Sequence, residues 1–527
     1  MQKHFIILII SITLAFSSLF NRAYSQVAEQ DSLALLAMYD ALDGDNWTFW
    51  RGFKGSSPVA SWSGVTVEEI PDEGFRVTRL NLWRNGMTGE LPEEMGNLTY
   101  LRQLVLNENN ITGSIPESFR NLQHLRDLSL TDNQFSGPLP EFLSELTSLE
   151  IIGLGINNFS GTLPESWSKL VNLRDLYVQT NDLSGELPPA YGNLENLEHL
   201  GANSNNLTGE LPAQWGNLKN LRDLSLWGNQ LSGTIPSEIA GMRSLDFLTL
   251  SNNNFEGPLP ESMKELTNLT ELQLGHNNWG EEFPLFITQM PGLEILYYNK
   301  TGLRSVPEEI GTMHNLKGLS LNHNELGGEF PMMLTQLTNL KFLYLWNTGL
   351  EGEIPAEVFQ LKNLHSLALG HNHFTGSVPD ELLNLTHLKE FMVDNNQLSG
   401  FPDLSENQFI HQPEFSMQQN YFQYDALETI VANGFTLTSS EQKPITLLDN
   451  ITSENGHVLQ LEVDFKGSIT LYHWYKDGEL ITETEKPLLL IENAQQDHSG
   501  RWYVEATHAN ITDTRLRTNE IDVTISN

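Results

Sequence analysis

Four acidic side chains recur at a fixed spacing in the first half of the sequence. Asp127, Asp175, Asp223 and Glu271 lie 48 residues apart, and each directly precedes a leucine. Carboxylates can bind metal ions or basic groups, or transfer protons. On alternate strands of one sheet they would be about 9–10 Å apart, which is too far for one metal ion to bridge. Two interpretations stay open: a charge strip for a basic partner, or, as the sequence favours, duplication of a two-repeat unit that leaves a solvated edge.

A second set of side chains combines aromatic rings with histidines. Exposed rings lower solubility and provide rigid contact area, so they are typical of binding interfaces. The alternative is that side chains of neighbouring strands cover them. Because no second layer is expected over the face they occupy, the sequence favours ligand binding by Trp227, Phe247, His276, Tyr297, His323, Phe342, Tyr344 and Trp346.

Catalytic signatures are missing from the sequence. There is no H-E-x-x-H metal motif, no G-x-S-x-G nucleophile turn and no phosphate-binding loop. The chain has no cysteine, which excludes a thiolate nucleophile. Histidines and carboxylates are numerous, but none shows catalytic spacing. We therefore expect a protein that is not an enzyme and that uses no cofactor or resident metal ion.

Both sets of residues are positioned by a repeat of 24 residues. Residues 224–236 show its pattern, LxLxxNxLxGxIP. Alternation in LxL predicts a short strand with buried leucines, and only a stack of repeats can bury them. The asparagine amide can satisfy backbone groups in the turn, where glycine and proline shape the chain. The pattern fills fifteen slots: Asn85, Asn109, Asn133, Asn157, Asn181, Asn205, Asn229, Asn253, Asn277, Thr301, Asn324, Thr348, Asn372, Asn396 and Asn420.

This pattern resembles the leucine-rich-repeat family, in the 24-residue subtype best known from plant receptor-like proteins. The resemblance covers residues 79–430. It implies a solenoid of about 14–15 repeats with a curved parallel sheet, an α/β fold class, and the two sets of candidate residues on the concave face. It also implies protein or peptide ligands, and some solenoids of this subtype inhibit pectin-degrading hydrolases.

Residues 26–78 are predicted to cap the N-terminal end of the solenoid. Asp31 or Ser32 can begin a helix whose apolar face is Leu33, Leu36 and Tyr39. Residues 61–67 resemble the cap motif C-x-W-x-G-V-x-C of the family, but here the motif has no cysteine. Packing alone must therefore hold the cap together.

Residues 441–527 follow a linker at 431–440 and lose the 24-residue phase. Short alternating runs, with a hairpin signal at Asp477-Gly478, predict a β-sandwich. Residues 473–478 resemble strand C of Ig-like domains, and residues 497–504 resemble their E–F corner. The resemblance implies an Ig-like domain without a disulfide, in which Trp474 belongs to the core.

Charge and the first residues bear on location and partners. The chain has 67 acidic and 29 basic residues, a net charge of −38, which disfavours nucleic acid and anionic membranes as partners. Residues 1–25 read as a secretory signal, with an apolar run at 5–16 and a small-x-small site at 23–25. No other membrane segment is expected. An exported chain without cysteine favours a bacterial source, released, displayed or periplasmic.

These observations predict an extracellular adhesion or recognition protein. Its concave face would bind a protein, a peptide or a glycan, and the C-terminal domain would serve as a spacer or as a second contact. Two alternatives remain: an inhibitor of an extracellular hydrolase, and a structural cell-surface component that self-associates.

Overall fold

The computed structural model describes residues 27–49, 52–53, 57–446 and 449–526. The predicted signal segment 1–25 lies outside this range. The chain divides into two compact units, one ending at residue 278 and the other beginning at 279. In the described part of the chain, no helix is long and apolar enough to cross a membrane.

The first unit begins with helix α1, Glu29–Ala41. Its buried apolar side chains are Ala34, Leu35, Met38 and Tyr39, whereas Leu33 is 56% exposed. The predicted apolar face was therefore wrong in part, because the helix begins before Asp31 and presents a different side to the core.

Asp31 does not cap this helix, contrary to the sequence-based expectation. Its side chain is fully buried, forms an ion pair with Arg76 at 2.9 Å, and accepts a hydrogen bond from the backbone N–H of Val77 at 2.8 Å. A buried carboxylate requires such partners to offset the loss of its hydration. The pair thus joins the cap helix to the first long strand of the sheet.

The main sheet of the first unit begins antiparallel and continues in parallel. Val65–Ile70 pairs antiparallel with Gly74–Asn81, which pairs in parallel with Gln103–Val105. Each later strand lies 24 residues after its neighbour in the sheet. The remaining strands of this sheet in the first unit are Asp127–Ser129, Ile151–Gly153, Asp175–Tyr177, His199–Gly201, Asp223–Ser225, Phe247–Thr249 and Glu271–Gln273.

Each repeat returns through a short outer strand and a 3-10 turn. The outer strands are Thr88–Glu90, Asn110–Gly113, Gln134–Pro138, Asn158–Gly161, Asp182–Glu186, Asn206–Thr208, Ser232–Gly233 and Asn254–Phe255. The glycine of the repeat pattern adopts a left-handed backbone in the outer strand, as at Gly185 with φ 78°. The 3-10 turns of the repeats are Glu93–Asn97, Glu117–Asn121, Glu141–Glu145, Glu165–Lys169, Pro189–Asn193, Ala213–Asn217, Ser237–Gly241 and Glu261–Glu265; two further 3-10 turns, Gly44–Asn46 and Val59–Ser61, lie before the repeats.

The repeat asparagines form a buried ladder, as the sequence predicts. Asn157 donates from Nδ2 to the carbonyls of Leu130, Leu154 and Gly155 at 3.1–3.2 Å. Its Oδ1 accepts the backbone N–H of Phe135 at 3.0 Å. Two of these partners belong to the preceding repeat, so one amide closes its own turn and also joins two repeats.

The second unit continues the same repeat. Its main-sheet strands are Ile295–Tyr297, Gly318–Ser320, Phe342–Tyr344, Ser366–Ala368, Glu390–Met392, Glu414–Ser416 and Thr436–Thr438. The last of these pairs in parallel with Glu414–Ser416, so the sheet extends into the predicted linker. Outer strands are Glu351–Glu353, His373–Ser377 and Gln397–Gly400; 3-10 turns are Leu285–Gln289, Glu308–Thr312, Met332–Gln336, Ala356–Gln360 and Asp380–Asn384; helix α2 is Tyr424–Ala432.

The C-terminal residues form two packed groups of strands. Trp474 lies opposite Val504 in the strand register, and both side chains are buried. The predicted hairpin turn is present at Asp477-Gly478, between two paired strands. One sheet contains Ile451–Glu454, Ile521–Ser526, Gly500–Thr507, Leu471–Lys476, Glu479–Thr484 and Leu516–Arg517; the other contains Leu459–Glu462 and Leu488–Ile491; a 3-10 turn lies at Gln496–His498.

This C-terminal β domain is fastened to the end of the repeats. The hydroxyl of Tyr424, on α2, lies 3.0 Å from the carbonyl oxygen of Ala506 and 2.8 Å from that of Thr514. His508 Nε2 lies 3.2 Å from a carboxylate oxygen of Glu428, also on α2. These buried polar contacts fix the domain against the last repeat.

The asparagine ladder can be tested at two adjacent residues. Asn157→Ala removes four hydrogen bonds at a buried position and leaves backbone groups without partners, whereas Asn158 is exposed. We expect Asn157→Ala to lower the free energy of unfolding by about 3 kcal/mol, measured by urea denaturation. Asn158→Ala is the control and should change it little. Equal effects of the two substitutions would contradict a structural role for the ladder.

Candidate functional site

The outward-facing residues that begin each strand of the main sheet form a register row. From Asp127 onward, this row in the first unit reads Asp127, Ile151, Asp175, His199, Asp223, Phe247 and Glu271. The four predicted acids therefore occupy every second strand, as their spacing predicts. The contacts of each carboxylate depend on the side chains of the neighbouring strands.

The outer two acids are engaged by polar neighbours. Asp127 accepts hydrogen bonds from Gln103 Nε2 at 2.8 Å and from Ser129 Oγ at 2.5 Å. Glu271 accepts one from Gln273 Nε2 at 2.5 Å. These contacts satisfy much of the carboxylates' hydrogen-bonding capacity within the protein.

The middle two acids flank a histidine that the sequence reading overlooked. His199 Nδ1 lies 2.6 Å from Asp175 Oδ1, and His199 Nε2 lies 3.1 Å from Asp223 Oδ2. The signal was present in the sequence, because His199 lies halfway between the two acids along the chain. The four acids are thus not a continuous strip; two of them form an Asp–His–Asp group.

This group borders a cavity of about 430 Å³. Burial, followed by the nearby carboxylates of Asp175 and Asp223, raises the pKa of Tyr177 to about 12. Burial also raises the pKa of Asp223; His199 and Arg222 lower it, and the carboxylate of Asp246 raises it. The site is electrostatically negative. The residues lining the cavity are Tyr177, Gln179, His199, Leu200, Gly201, Asn203, Asp223, Ser225 and Phe247.

A second row of charges lies beside the acids. Arg126 forms an ion pair with Glu150 at 3.3 Å, and Arg174 forms one with Glu198 at 2.8 Å. Each arginine directly precedes one of the aligned aspartates but pairs with a glutamate of the following repeat. The row therefore neutralises its own charges and leaves Asp175 to its contact with His199.

In the second unit, three predicted aromatic residues form one cluster. The ring centroids of Tyr297 and Phe342 are 5.7 Å apart, and those of Phe342 and Tyr344 are 5.1 Å apart. The ring of Phe342 lies across Gly318 of the neighbouring strand, where a β-carbon would overlap it. All three rings are partly exposed, so they form an apolar platform on the face of the sheet.

Next to this platform lies a second group of rings. Trp346 contacts His323 and His371 edge to face, with centroid distances of 4.4 and 4.8 Å. His371, which the sequence reading missed, lies 3.3 Å from a carboxylate oxygen of Asp394. Burial lowers the pKa of His323, and the charges of Lys300 and His371 lower it further. The histidines thus pack against Trp346 and fix its ring.

Backbone conformation gives a separate reason for the histidines. His276, His323 and His371 all directly precede a repeat asparagine, and all have a left-handed backbone with φ of 53–56°. Histidine is among the residues enriched there. The conformation belongs to this slot of the repeat, since Ile156 and Thr180 share it, and His276 stays a predicted contact residue.

The remaining predicted residues lie in the first unit. Phe247 lines the cavity beside Asp223. Trp227 is 41% exposed and lies two repeats before His276 along the chain. Among the described residues, no group of three or more histidine or acidic side chains is placed to hold a metal ion.

Comparison with known proteins identifies the repeats. A model described as Leucine rich repeat matches residues 75–135, and one described as Leucine Rich Repeat matches residues 196–218, 220–242, 244–266 and 363–385. A search of curated proteins found no match.

Three solved structures are similar. The PEPR1–AtPEP1 structure has 28% identity and a TM-score of 0.63 over 80% of this chain and 59% of that one. The second is the LRR ectodomain of the receptor kinase GASSHO1/SCHENGEN3 from Arabidopsis thaliana, in complex with CASPARIAN STRIP INTEGRITY FACTOR 2. It has 26% sequence identity and a TM-score of 0.61, over 80% of this chain and 59% of that one. An LRR protein of Leptospira interrogans has 32% sequence identity and a TM-score of 0.58, over 67% of this chain and 88% of that one. This chain spans less than two thirds of the first two.

The platform allows a prediction at Gly318. Gly318→Ala should lower the free energy of unfolding by about 2 kcal/mol, because the added methyl group forces the Phe342 ring to move. In a Phe342→Ala background the same substitution should cost much less. Denaturant titration of the four proteins measures this coupling. The same cost in both backgrounds would show that the ring does not rest on Gly318.

Proposed function

Because the chain belongs to the leucine-rich-repeat family, whose members are typically binding scaffolds, we propose that it is an extracellular binding protein for an extended peptide or protein segment. The strand face carries the contacts. The observation on which this rests is the partly exposed platform Tyr297–Phe342–Tyr344, with Trp346 and its edge-to-face histidines beside it. Rigid rings of this kind supply contact area at low conformational cost.

The strand face also suits an extended ligand geometrically. Equivalent side chains recur once per strand, about 4.8 Å apart, so successive groups of a ligand can meet successive repeats. Two similar proteins are an ectodomain bound to CASPARIAN STRIP INTEGRITY FACTOR 2 and PEPR1 with AtPEP1. These likenesses favour a peptide or protein over a glycan as the ligand.

Location outside the cell is part of the proposal. It is supported by the signal-like residues 1–25 and by the ectodomain character of a similar structure. The C-terminal β domain, read as Ig-like from its sequence, would act as a fixed extension of the last repeat, because Tyr424 and His508 hold it there.

Removing the exposed rings tests this function. The exported chain, residues 26–527, is screened against an array of extracellular proteins, peptides and glycans, and the Kd of each hit is measured. Tyr344→Ala/Trp346→Ala should weaken binding by about 30-fold or more, since the loss of even one aromatic residue at the centre of an interface costs about 2 kcal/mol or more.

Met332→Ala is the matched control, because Met332 is also apolar and 45% exposed but lies in a 3-10 turn of the same unit. A hit that both variants retain would move the site away from the platform. If no hit appears and the protein self-associates in sedimentation, the structural alternative replaces the binding function.

A further inference from the structure

The cavity beside the Asp–His–Asp group has the chemistry of a separate subsite. We propose that it binds one guanidinium or ammonium group, an arginine or lysine side chain of the ligand. This inference rests on the proposed function for its biological ligand. It concerns different residues from the aromatic platform, and the first unit alone supplies them.

The carboxylates provide the first argument. Asp175 and Asp223 flank one imidazole, so the group keeps a net negative charge even when His199 is protonated. The side chain of Asp223 is 45% exposed, so it remains open to a ligand while Oδ2 contacts His199. Burial and the nearby carboxylate of Asp246 both raise the pKa of Asp223. A bound cation would offset this repulsion.

An amide oxygen provides a second, independent argument. Gln179 lines the cavity, and its Oε1 is shielded from solvent without a hydrogen-bond partner. A buried acceptor of this kind is costly unless a donor reaches it. A guanidinium group carries five N–H donors and no acceptor, and an ammonium group carries three donors. The Gln179 oxygen and the carboxylates therefore favour the same type of ligand, a positively charged group with several N–H donors.

The walls of the cavity fit the rest of a basic side chain. The rings of Tyr177 and Phe247 line it, and aromatic faces attract cations and stack on guanidinium planes. Gly201 lies between Tyr177 and Ser225 in the sheet, and its lack of a side chain lets the Tyr177 ring lie close to its backbone, since a β-carbon there would be 3.2 Å from that ring. The aliphatic stem of the ligand can pack against the two rings.

Two arginines lie nearby and oppose a cation in principle. Arg174 is paired with Glu198 at 2.8 Å. Among the influences on the pKa of Asp223, the charge of Arg222 is smaller than burial, His199 and Asp246. After burial, the carboxylates of Asp175 and Asp223 raise the pKa of Tyr177 at the wall of the cavity, which is the effect of negative charge at that place.

Ligand-observed saturation-transfer NMR tests the subsite directly. The probes are N-acetyl-arginine N-methylamide and its neutral isostere, N-acetyl-citrulline N-methylamide, each with the exported chain. We expect saturation transfer to the arginine probe and much less to the citrulline probe. Asp223→Asn should weaken arginine binding by about tenfold, since it removes one charged acceptor.

Asp127→Asn is the matched control. It removes one negative charge from the same row, two repeats before Asp175, where Gln103 and Ser129 already donate hydrogen bonds to the carboxylate. It should leave arginine binding unchanged. Circular dichroism verifies the fold of each variant, and Asp175→Asn replaces Asp223→Asn if the latter does not fold.

Three results would overturn the subsite: equal signals from the two probes, retention of arginine binding by a folded Asp223→Asn variant, or equal loss in Asp127→Asn, which would indicate attraction to the net charge alone. Because these small probes do not require the aromatic platform, the Tyr344→Ala/Trp346→Ala variant separates the two proposals. If this variant loses its array hits but still binds the arginine probe, the subsite is supported without the aromatic platform. If the array hits depend on the platform but no arginine binding is found, only the proposed function is supported.

Discussion

The buried asparagine amide is the constraint on which the rest of the structure depends. At Asn157 it satisfies two carbonyls of its own turn and two backbone groups of the preceding repeat. The same arrangement recurs at Asn181 and Asn205. By ending each strand at a fixed residue, the amide keeps the strands short and in register. The residues that face outward therefore line up in rows, and any binding surface on this face is built from such rows.

Much of the solenoid follows from the sequence, because burial and backbone hydrogen bonding act identically in every repeat. The cap helix was harder to predict. Its apolar residues allow more than one face, and only the partner Arg76 explains why Asp31 is buried. The attachment of the C-terminal domain through Tyr424 joins residues more than 80 positions apart in the chain, and no local pattern predicts such a contact.

The candidate site was predictable as a set of residue types but not as a set of partners. Reading acids and aromatic residues separately hid His199 and His371, whose roles depend on neighbours one strand away. Glycine was equally informative and equally easy to overlook. Gly318 and Gly370 leave space in which Phe342 and Trp346 lie, so side chains that are absent determine how the rings are oriented.

The ends of the sheet carry a consequence for assembly. An uncovered edge strand presents unpaired N–H and C=O groups, on which another chain can add a strand. In the first unit the edge strand Val65–Ile70 runs antiparallel and carries Glu68 and Glu69. In the second unit, residues just after Thr436–Thr438 bond to the C-terminal domain, as Ser439 does to Thr514. Each of these two strands is thus protected against the addition of a strand from another chain, which disfavours fibril-like growth of the protein at either of them.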